Sequence, residues 1–326
     1  MSPIVITELE YRKGRAVFDA SGFACIPAPE EEAALAAAIR AHGARHAVVG
    51  VARYTGELYR TLPRGAVLAR YGVGHDGIDK DQATAHGILC VNTPEVLSQS
   101  VAEHAIALAL AASRHIAESA AAMRAGEWQP AMGVELGGKT IAVVGCGPIG
   151  RRVAHIAASG FGMTVVGCAS APRPLSSLPA GHRYTRMARD IKDAVRGADY
   201  VSLHIPGVPA TRNLIDAAVL ACMSPGAILV NTSRGSVVDE PALYDALAAG
   251  GIAAAALDVF ASEPYVPAGP ARDLRRLPNV LMTPHISSST REACVRAAER
   301  ALRNIRQAED GRYGEMDLLN PAVLPG

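Results

Sequence analysis

The sequence predicts an α/β protein made of two doubly wound parallel sheets with a cleft between them. Three observations lead to this fold class. The chain has 326 residues, about twice the length of a usual domain. Short apolar runs alternate with helical stretches along the chain, as they do in parallel sheets. Hydrophobic residues make up 49% of the chain, which supplies two large cores and excludes a disordered or collagen-like protein.

The first series of elements occupies residues 4–79. Helix-like residues 30–42 precede a strand-like run at 47–51, which is the alternation that a parallel sheet requires. A long helix is then predicted over 98–117, with a serine as its N-cap. This helix is apolar on several faces, so two interpretations stay open: a buried core helix or a subunit interface.

A second series of elements begins near Lys139. Apolar strands separated by helices are predicted at 140–144, 163–168, 200–204, 227–231, 253–257 and 280–283. The last helical stretch, 290–308, has Arg and Glu on one side and is expected to return the chain to the first domain. We therefore assign residues 1–100 plus 292–326 to one discontinuous domain and residues 101–291 to the other.

The charge balance and the composition limit the expected partners. With 32 Lys and Arg against 31 Asp and Glu, the net charge of +1 does not favour nucleic-acid binding. No apolar run reaches the roughly 18 residues of a membrane span, and MSPIVITELE does not resemble a signal peptide.

His42 and His46 share helical spacing, but no carboxylate or cysteine completes a ligand pattern, so we expect no metal. Six scattered cysteines are typical of reduced thiols, so we expect a soluble cytoplasmic protein.

A glycine-rich loop follows the first strand of the second series directly. Gly145, Gly147 and Gly150 form G-x-G-x-x-G between the strand at 140–144 and a helix at 151–159. The first glycine permits a tight turn, the second lets the backbone approach a pyrophosphate, and the third lets helix and strand pack closely. Because a helix N-terminus attracts phosphate, this order predicts a dinucleotide site in a Rossmann-like domain.

The residues after the strand predicted at 163–168 bear on the choice of cofactor. An acidic residue about 20 positions beyond the glycine loop usually binds the adenosine ribose hydroxyls. Here no Asp or Glu occurs from Arg151 to Arg189, and Ser170 and Arg173 follow the strand instead. A carboxylate would repel a 2′-phosphate, so its absence favours NADP(H) over NAD(H). The alternative is a surface loop that tolerates either cofactor.

Three charged or titratable side chains follow later strands. Arg234 lies in VNTSRG, Glu263 in ALDVFASEP and His285 in MTPH, each just past the carboxyl end of a predicted strand. In an open parallel sheet these ends share one crevice, where ligands bind. One Arg, one Glu and one His are therefore expected to lie together near the cofactor.

These segments, with YGVGHDGID at 71–79 and VNTP to VAE over 91–103, resemble the D-isomer-specific 2-hydroxyacid dehydrogenases. The resemblance runs in order from about residue 47 to about residue 295. It implies an NAD(P)-dependent oxidoreductase that interconverts a small 2-keto acid, of glyoxylate or hydroxypyruvate type, and its D-2-hydroxy acid. It also implies a homodimer, with a nucleotide-binding domain at 101–291 and the discontinuous domain as the substrate (catalytic) domain.

The resemblance implies three catalytic residues, and their chemistry suits the reaction. Arg234 would bind the carboxylate and the carbonyl oxygen of the substrate with its two-pronged guanidinium. His285 would be the general acid in reduction and the base in oxidation, since histidine side chains titrate near neutrality. Glu263 would accept a hydrogen bond from the other ring nitrogen and fix its tautomer.

Further contacts are implied by the resemblance alone. Asp258 would bind the nicotinamide carboxamide. The backbone of Val73 and Gly74 would clamp the substrate carboxylate. The remaining implied cofactor contacts are Pro148, Ile149, Ile205, Thr232, Ser233 and Ser287.

Departures from the family pattern separate the alternatives. Gly77 stands where the family often has Asn, and Ala169 where it often has an acidic residue. Glu263 argues against the formate-oxidising branch, which pairs its His with Gln. Gly50 falls about where phosphoglycerate dehydrogenases tend to carry an Arg for the phosphate, and the chain ends at Gly326, which leaves no room for the regulatory extension found on many of them. Both features disfavour phosphoglycerate dehydrogenase-like activity. A dinucleotide-sensing, corepressor-like binding protein is the other alternative.

Overall fold

The computed structural model describes residues 2–171 and 174–324. Its strands are β1 (Ile4–Thr7), β2 (Cys25–Ala28), β3 (His46–Val49), β4 (Val67–Arg70), β5 (Leu89–Val91), β6 (Thr140–Val144), β7 (Thr164–Cys168), β8 (Arg186–Met187), β9 (Tyr200–Leu203), β10 (Ile228–Asn231), β11 (Ala254–Leu257) and β12 (Val280–Met282). Its α-helices are α1 (Glu8–Asp19), α2 (Glu32–His42), α3 (Glu57–Thr61), α4 (Lys80–Ala85), α5 (Ser98–Ser113), α6 (Ile116–Arg124), α7 (Pro148–Phe161), α8 (Ile191–Val195), α9 (Ala217–Leu220), α10 (Glu240–Ala248) and α11 (Arg291–Glu309).

The chain divides into two compact units, and each contains one parallel sheet. Unit 1 comprises Met1–Leu97 and Ser288–Gly326, and its sheet has the strand order β2-β1-β3-β4-β5. Unit 2 comprises Ser98–Ser287, and its sheet has the order β12-β11-β10-β9-β6-β7-β8. The strand pairs of both sheets are parallel. In each sheet the order reverses about the first strand, so the predicted α/β class with two doubly wound sheets is confirmed.

Two hydrophobic cores cover the two faces of the unit 2 sheet. Alternate residues of β6 point to opposite faces, so Ala142 and Val144 belong to one core and Ile141 and Val143 to the other. Because both faces are buried, the strand is a continuous apolar run rather than an alternating one. Unit 1 has its own core, which includes Leu68.

The strands predicted for the second series agree closely with β6, β7, β9, β10, β11 and β12. Strand β8 was not predicted. It consists only of Arg186 and Met187, paired with β7, and two residues are too few to show a periodic pattern.

The helix predicted over 98–117 ends at Ser113 instead. The Ser113 hydroxyl donates to the Ala109 carbonyl (2.6 Å) and also meets the Tyr200 hydroxyl (2.8 Å). His115 then adopts a left-handed conformation with φ of 51°, and α6 begins at the next residue. Helix α5 packs into the core of unit 2, as the core-helix interpretation expects.

Two further features of the structure concern membrane spans and the cysteines. Across residues 2–171 and 174–324, no helix combines the length and the apolar character of a membrane span. All six cysteines lie within the described residues, and none of them forms a disulfide. Burial raises the pKa of Cys90 to about 12 and that of Cys168 to about 11, so both thiols stay protonated and unreactive near neutral pH.

Helix α7 contains two glycines that provide a matched test of close packing. A Cβ at Gly150 would lie 1.9 Å from the Gly145 carbonyl oxygen, whereas one at Gly160 would meet nothing within 4 Å. We expect Gly150→Ala to lower the free energy of unfolding by about 1–3 kcal/mol. Gly160→Ala should raise it by up to about 1 kcal/mol through helix propensity. Urea unfolding followed by circular dichroism measures both changes, and equal effects would contradict the packing described.

Candidate active site

The glycine-rich loop lies where the strand order of the unit 2 sheet reverses, between β6 and β9. Gly145 has a φ of +101° and donates its N–H to the Cys168 carbonyl (2.8 Å), which turns the chain directly after β6. A Cβ at Gly145 would lie 2.3 Å from the His204 carbonyl oxygen and 2.9 Å from the Ile205 side chain. Glycine is therefore required where this loop passes the end of β9.

The N-terminus of α7 is suited to an anion. Gly147 is the N-cap, and no side chain caps the helix. A Cβ at Gly147 would meet nothing within 4 Å, so the space beside this backbone is open. Pro148 has no N–H, and the N–H groups of Ile149 and Gly150 have no acceptor within the helix. These groups and the helix dipole fit a pyrophosphate.

The predicted ribose contacts lie just after β7. Ala169 is half-buried, and Ser170 is exposed. Arg173 lies outside the described residues. Further along the chain, the Asp193 carboxylate forms an ion pair with Arg186 (3.3 Å).

Asn231 shapes the loop after β10. Its carboxamide oxygen accepts hydrogen bonds from the Ser233 N–H (3.0 Å) and hydroxyl (2.8 Å), and its Nδ2 donates to the Arg234 carbonyl (3.0 Å). The Arg234 guanidinium donates to the Ser233 carbonyl (2.7 Å). The Thr232 hydroxyl is buried without a hydrogen-bond partner in the described part of the chain, which suits contact with a bound cofactor.

Gly235 brings the loops after β10 and β11 into contact. A Cβ at Gly235 would lie 1.8 Å from the Phe260 carbonyl carbon, so no side chain fits. The Phe260 N–H donates to Glu263 Oε1 (3.0 Å). Arg234 and Glu263 are therefore carried by two loops whose backbones touch.

Glu263 and His285 form a direct pair. The distance from Glu263 Oε2 to His285 Nδ1 is 2.7 Å, and both side chains are partly exposed, at 30% and 26%. Because an ionised carboxylate only accepts hydrogen bonds, Nδ1 carries a hydrogen and Nε2 is left for proton exchange. His285 has a φ of 52°, which is uncommon outside glycine.

Asp258 fixes the turn that carries His285. Its carboxylate accepts hydrogen bonds from the Thr283 hydroxyl (2.6 Å), the Ile286 N–H (2.9 Å) and the Ser287 N–H (2.8 Å). Its main-chain carbonyl accepts the His285 N–H (2.9 Å). Both ends of the turn are thus bonded to one residue.

The Asp258 carboxylate is ionised although it is fully buried. Burial alone would raise the pKa of this carboxyl, but hydrogen bonds from His104, Thr283 and two backbone N–H groups lower the pKa to about 2. Because its oxygens are engaged in this way, the contact of Asp258 with a nicotinamide carboxamide stays a prediction.

The predicted substrate clamp belongs to unit 1. Val73 and Gly74 follow β4, and the Val73 carbonyl accepts a hydrogen bond from Asn92 Nδ2 (2.7 Å). Their backbone role at a substrate carboxylate stays a prediction. Within residues 2–171 and 174–324, no group of three or more His, Cys, Asp and Glu could bind a metal ion.

Three residues of unit 2 that shape the site were not identified from the sequence: Asn231, Thr283 and His104. Asn231 ends β10 and Thr283 directly follows β12. The position of a polar residue at the carboxyl end of a parallel strand, which indicated Arg234, could therefore also have indicated Asn231 and Thr283. His104 lies within α5, and no sequence pattern connects it to the strand ends.

A glycine loop suited to a pyrophosphate, on a doubly wound sheet with an imidazole–carboxylate pair past its strand ends, is typical of a dinucleotide-dependent oxidoreductase. Comparison with known proteins identifies the family to which this oxidoreductase belongs. Residues 106–287 match the family described as D-isomer specific 2-hydroxyacid dehydrogenase, NAD binding domain.

Relatives match along most of this chain. A glyoxylate reductase of Thermococcus litoralis is 40% identical over 277 residues, which cover 82% of this chain and 81% of that protein. A D-3-phosphoglycerate dehydrogenase of Mycobacterium leprae is 42% identical over 259 residues, or 79% of this chain. The match covers only 47% of that dehydrogenase, so the chain spans about half of its length. The crystal structure of an NADPH-dependent glyoxylate/hydroxypyruvate reductase from Sinorhizobium meliloti, in complex with NADP and malonate, has a TM-score of 0.79 at 28% identity, covering 94% of this chain and 93% of that one.

The chain belongs to the D-isomer-specific 2-hydroxyacid dehydrogenase family. It is an oxidoreductase that uses a nicotinamide dinucleotide to interconvert a small 2-keto acid and its D-2-hydroxy acid.

The low pKa of Asp258 predicts a pH-dependent contribution to stability. The folded-state value of about 2 lies below the ordinary 3.8, so the ionised carboxylate stabilises the fold above about pH 4. This contribution, about 2 kcal/mol, is lost as the pH falls towards 2. We expect Asp258→Asn to be less stable than wild type at pH 7, with the difference narrowing below pH 4. Urea unfolding at pH 7, 5, 4 and 3 measures the difference in stability between the two proteins. A difference that stays constant over this range would contradict the low pKa assigned to Asp258.

Proposed function

We propose that this chain reduces a 2-keto acid of glyoxylate or hydroxypyruvate type to its D-2-hydroxy acid, with NADPH as the preferred reductant. The observation that carries the proposal is the 2.7 Å contact between Glu263 Oε2 and His285 Nδ1, past the strand ends of a dinucleotide-binding sheet. The loop of Arg234 touches the loop of Glu263. The relatives named glyoxylate reductase and glyoxylate/hydroxypyruvate reductase support the substrate type.

Three side chains divide the work of the reduction. The nicotinamide, when bound, supplies the hydride. Arg234 binds the carboxylate of the 2-keto acid and stabilises the charge that develops on its carbonyl oxygen. His285 donates a proton from Nε2 to that oxygen, and in oxidation the same nitrogen accepts it. Glu263 accepts the Nδ1 hydrogen, which orients the ring and stabilises the imidazolium.

The cofactor would lie along the ends of β6, β7, β10 and β12. The N–H groups of Ile149 and Gly150 suit the pyrophosphate, and the orphaned Thr232 hydroxyl suits a polar group of the cofactor. The Ser233 hydroxyl is already bonded to Asn231, so we assign Ser233 to the shape of the loop. The other proposed contacts are Gly145, Gly147, Pro148, Ile205, Asp258 and Ser287.

The preference for NADPH rests on the segment after β7. Ala169 presents no carboxylate where a 2′-phosphate would lie, and the exposed Ser170 can donate a hydrogen bond to it. Arg173 would add a positive charge.

We also propose a cytoplasmic homodimer. Helix α6 has no buried residue, and apolar side chains are exposed on and after it: Ile116 (55%), Met123 (55%), Trp128 (82%), Met132 (94%) and Val134 (49%). Exposed apolar surface of this extent is typical of an interface. Three of the six cysteines are buried and none forms a disulfide, which suits a reducing compartment.

The function is tested by following oxidation of NADPH and NADH with glyoxylate, hydroxypyruvate, pyruvate, a phenyl-substituted 2-keto acid and phosphohydroxypyruvate. We expect turnover of glyoxylate or hydroxypyruvate, faster with NADPH. If none of these substrates is turned over although calorimetry shows cofactor binding, the result would contradict the proposal and favour the dinucleotide-sensing, corepressor-like protein.

One observation disfavours a phosphorylated substrate. A Cβ at Gly50 would lie 2.7 Å from a Glu30 carboxylate oxygen and 2.8 Å from one of Glu10. Two carboxylates beside this position would repel a phosphate. We therefore expect no turnover of phosphohydroxypyruvate, although phosphoglycerate dehydrogenases are among the relatives.

Removal of the imidazole should stop proton transfer without affecting the cofactor. We expect His285→Ala to lower kcat/KM for the 2-keto acid by about 10²–10⁴, the usual contribution of general acid–base catalysis. The Kd for NADPH, measured by calorimetry, should not change. His155→Ala is the matched control, since His155 is exposed on α7. Full activity of the His285 variant would show that another group donates the proton.

A carboxylate at position 169 should reverse the choice of cofactor. We expect Ala169→Asp to raise kcat/KM with NADH relative to NADPH, because the new charge repels the 2′-phosphate and accepts hydrogen bonds from the ribose hydroxyls. Ala169→Asn, which has the same shape without the charge, is the control. An unchanged ratio in the Asp variant would place the 2′-phosphate elsewhere.

The proposed dimer predicts the solution mass and the environment of the single tryptophan. Light scattering should give twice the chain mass of 33.9 kDa, and Trp128 emission should be blue-shifted relative to an exposed indole. Met132→Asp should give a monomer with red-shifted emission. A monomeric wild-type protein at micromolar concentration would contradict the dimer.

A further inference from the structure

A chain of hydrogen-bonding groups links helix α5 to the turn that carries His285. His104, on α5, has its Nε2 3.2 Å from Thr283 Oγ1 and 3.5 Å from Asp258 Oδ1. Thr283 Oγ1 is in turn 2.6 Å from the same carboxylate oxygen. Neither His104 nor Thr283 is among the residues proposed to contact substrate or cofactor.

The direction of these hydrogen bonds follows from the charge of Asp258. The ionised carboxylate can only accept, so the single hydroxyl hydrogen of Thr283 is donated to it. The Thr283 oxygen can then only accept from His104, whose Nε2 must carry a hydrogen. The tautomer of His104 and the rotamer of the Thr283 hydroxyl are thereby both fixed.

The same carboxylate supports the backbone around His285. The Ile286 N–H donates to Oδ1 of this carboxylate, and the Ser287 N–H donates to Oδ2. His285 itself lies in the left-handed region, with φ of 52°. A non-glycine residue keeps this conformation only when its surroundings impose it. A displaced Asp258 carboxylate would release both N–H groups and let the turn relax.

We propose that His104 and Thr283 are positioning residues, which fix the Asp258 carboxylate and thereby keep His285 Nδ1 on Glu263. The catalytic residue is His285, and the two positioning residues act through Asp258 without touching the substrate. The inference rests on the proposed role of His285 as the proton donor.

Thr283 offers a near-isosteric test. Thr283→Val removes the hydroxyl and keeps the volume, whereas Thr283→Ser keeps the hydroxyl. We expect Thr283→Val to lower kcat for 2-keto acid reduction by about tenfold to a hundredfold, because small misplacements of a reacting group have such effects. Thr283→Ser should retain most of the wild-type kcat, because its hydroxyl can still donate to Asp258.

His104 provides a second pair of variants and α5 provides the control. His104→Leu should also lower kcat. His104→Gln should retain part of the wild-type kcat, because its amide N–H can replace the Nε2 donor. Ser113→Ala breaks a different polar contact of α5, the one to Tyr200 at 2.8 Å. It should lower the unfolding midpoint without changing kcat, which separates a general loss of stability from a loss of positioning.

Amide hydrogen exchange tests the same inference without turnover. In the wild-type protein the N–H groups of Ile286 and Ser287 should be protected, and in Thr283→Val a peptide covering 283–288 should exchange faster. An inactive wild-type protein with this protection intact would overturn the proposed function alone. Full kcat in Thr283→Val, or unchanged exchange of that peptide, would overturn the positioning role.

Discussion

The ionised carboxylate of Asp258 is the interaction on which the rest of the site depends. It connects the end of β11 with the turn after β12 and, through Thr283, with helix α5. A buried charge is tolerated here because both oxygens accept hydrogen bonds. The left-handed backbone of His285 costs about 1–3 kcal/mol in a non-glycine residue, and the bonds to Asp258 offset this cost. The result is an imidazole whose position is set before substrate binds.

Close backbone approaches place the other parts of the site. Gly145 passes the end of β9, Gly150 lies against the Gly145 carbonyl, and Gly235 lies against the Phe260 backbone, each without room for a Cβ. The loops after β6, β10 and β11 are thus packed against their neighbours rather than free. Such preorganisation suits a reaction that needs an anion site, a guanidinium and a proton donor in one place.

The sequence was sufficient for the parts of the molecule that obey local rules. Continuous apolar runs predicted the parallel strands, and position just past a strand end predicted that Glu263 and His285 would meet, as their 2.7 Å contact confirms. It was insufficient where a feature depends on distant residues. At the end of α5, Ser113 contacts Tyr200, which lies 87 positions along the chain, and no glycine or proline marks this end. The contact of His104 with Thr283 joins residues 179 positions apart, so no spacing could indicate it.

The proposed function requires this site to transfer hydrogen from a nicotinamide to the 2-carbon of a 2-keto acid. The most direct measurement uses NADPH deuterated at C4 of the nicotinamide ring, in separate preparations for its two faces, with hydroxypyruvate as substrate. Mass spectrometry and chiral chromatography then locate the label and define the configuration of the product. We expect D-glycerate with deuterium at C2 from one of the two preparations. Unlabelled product from both, or the L-isomer, would contradict it.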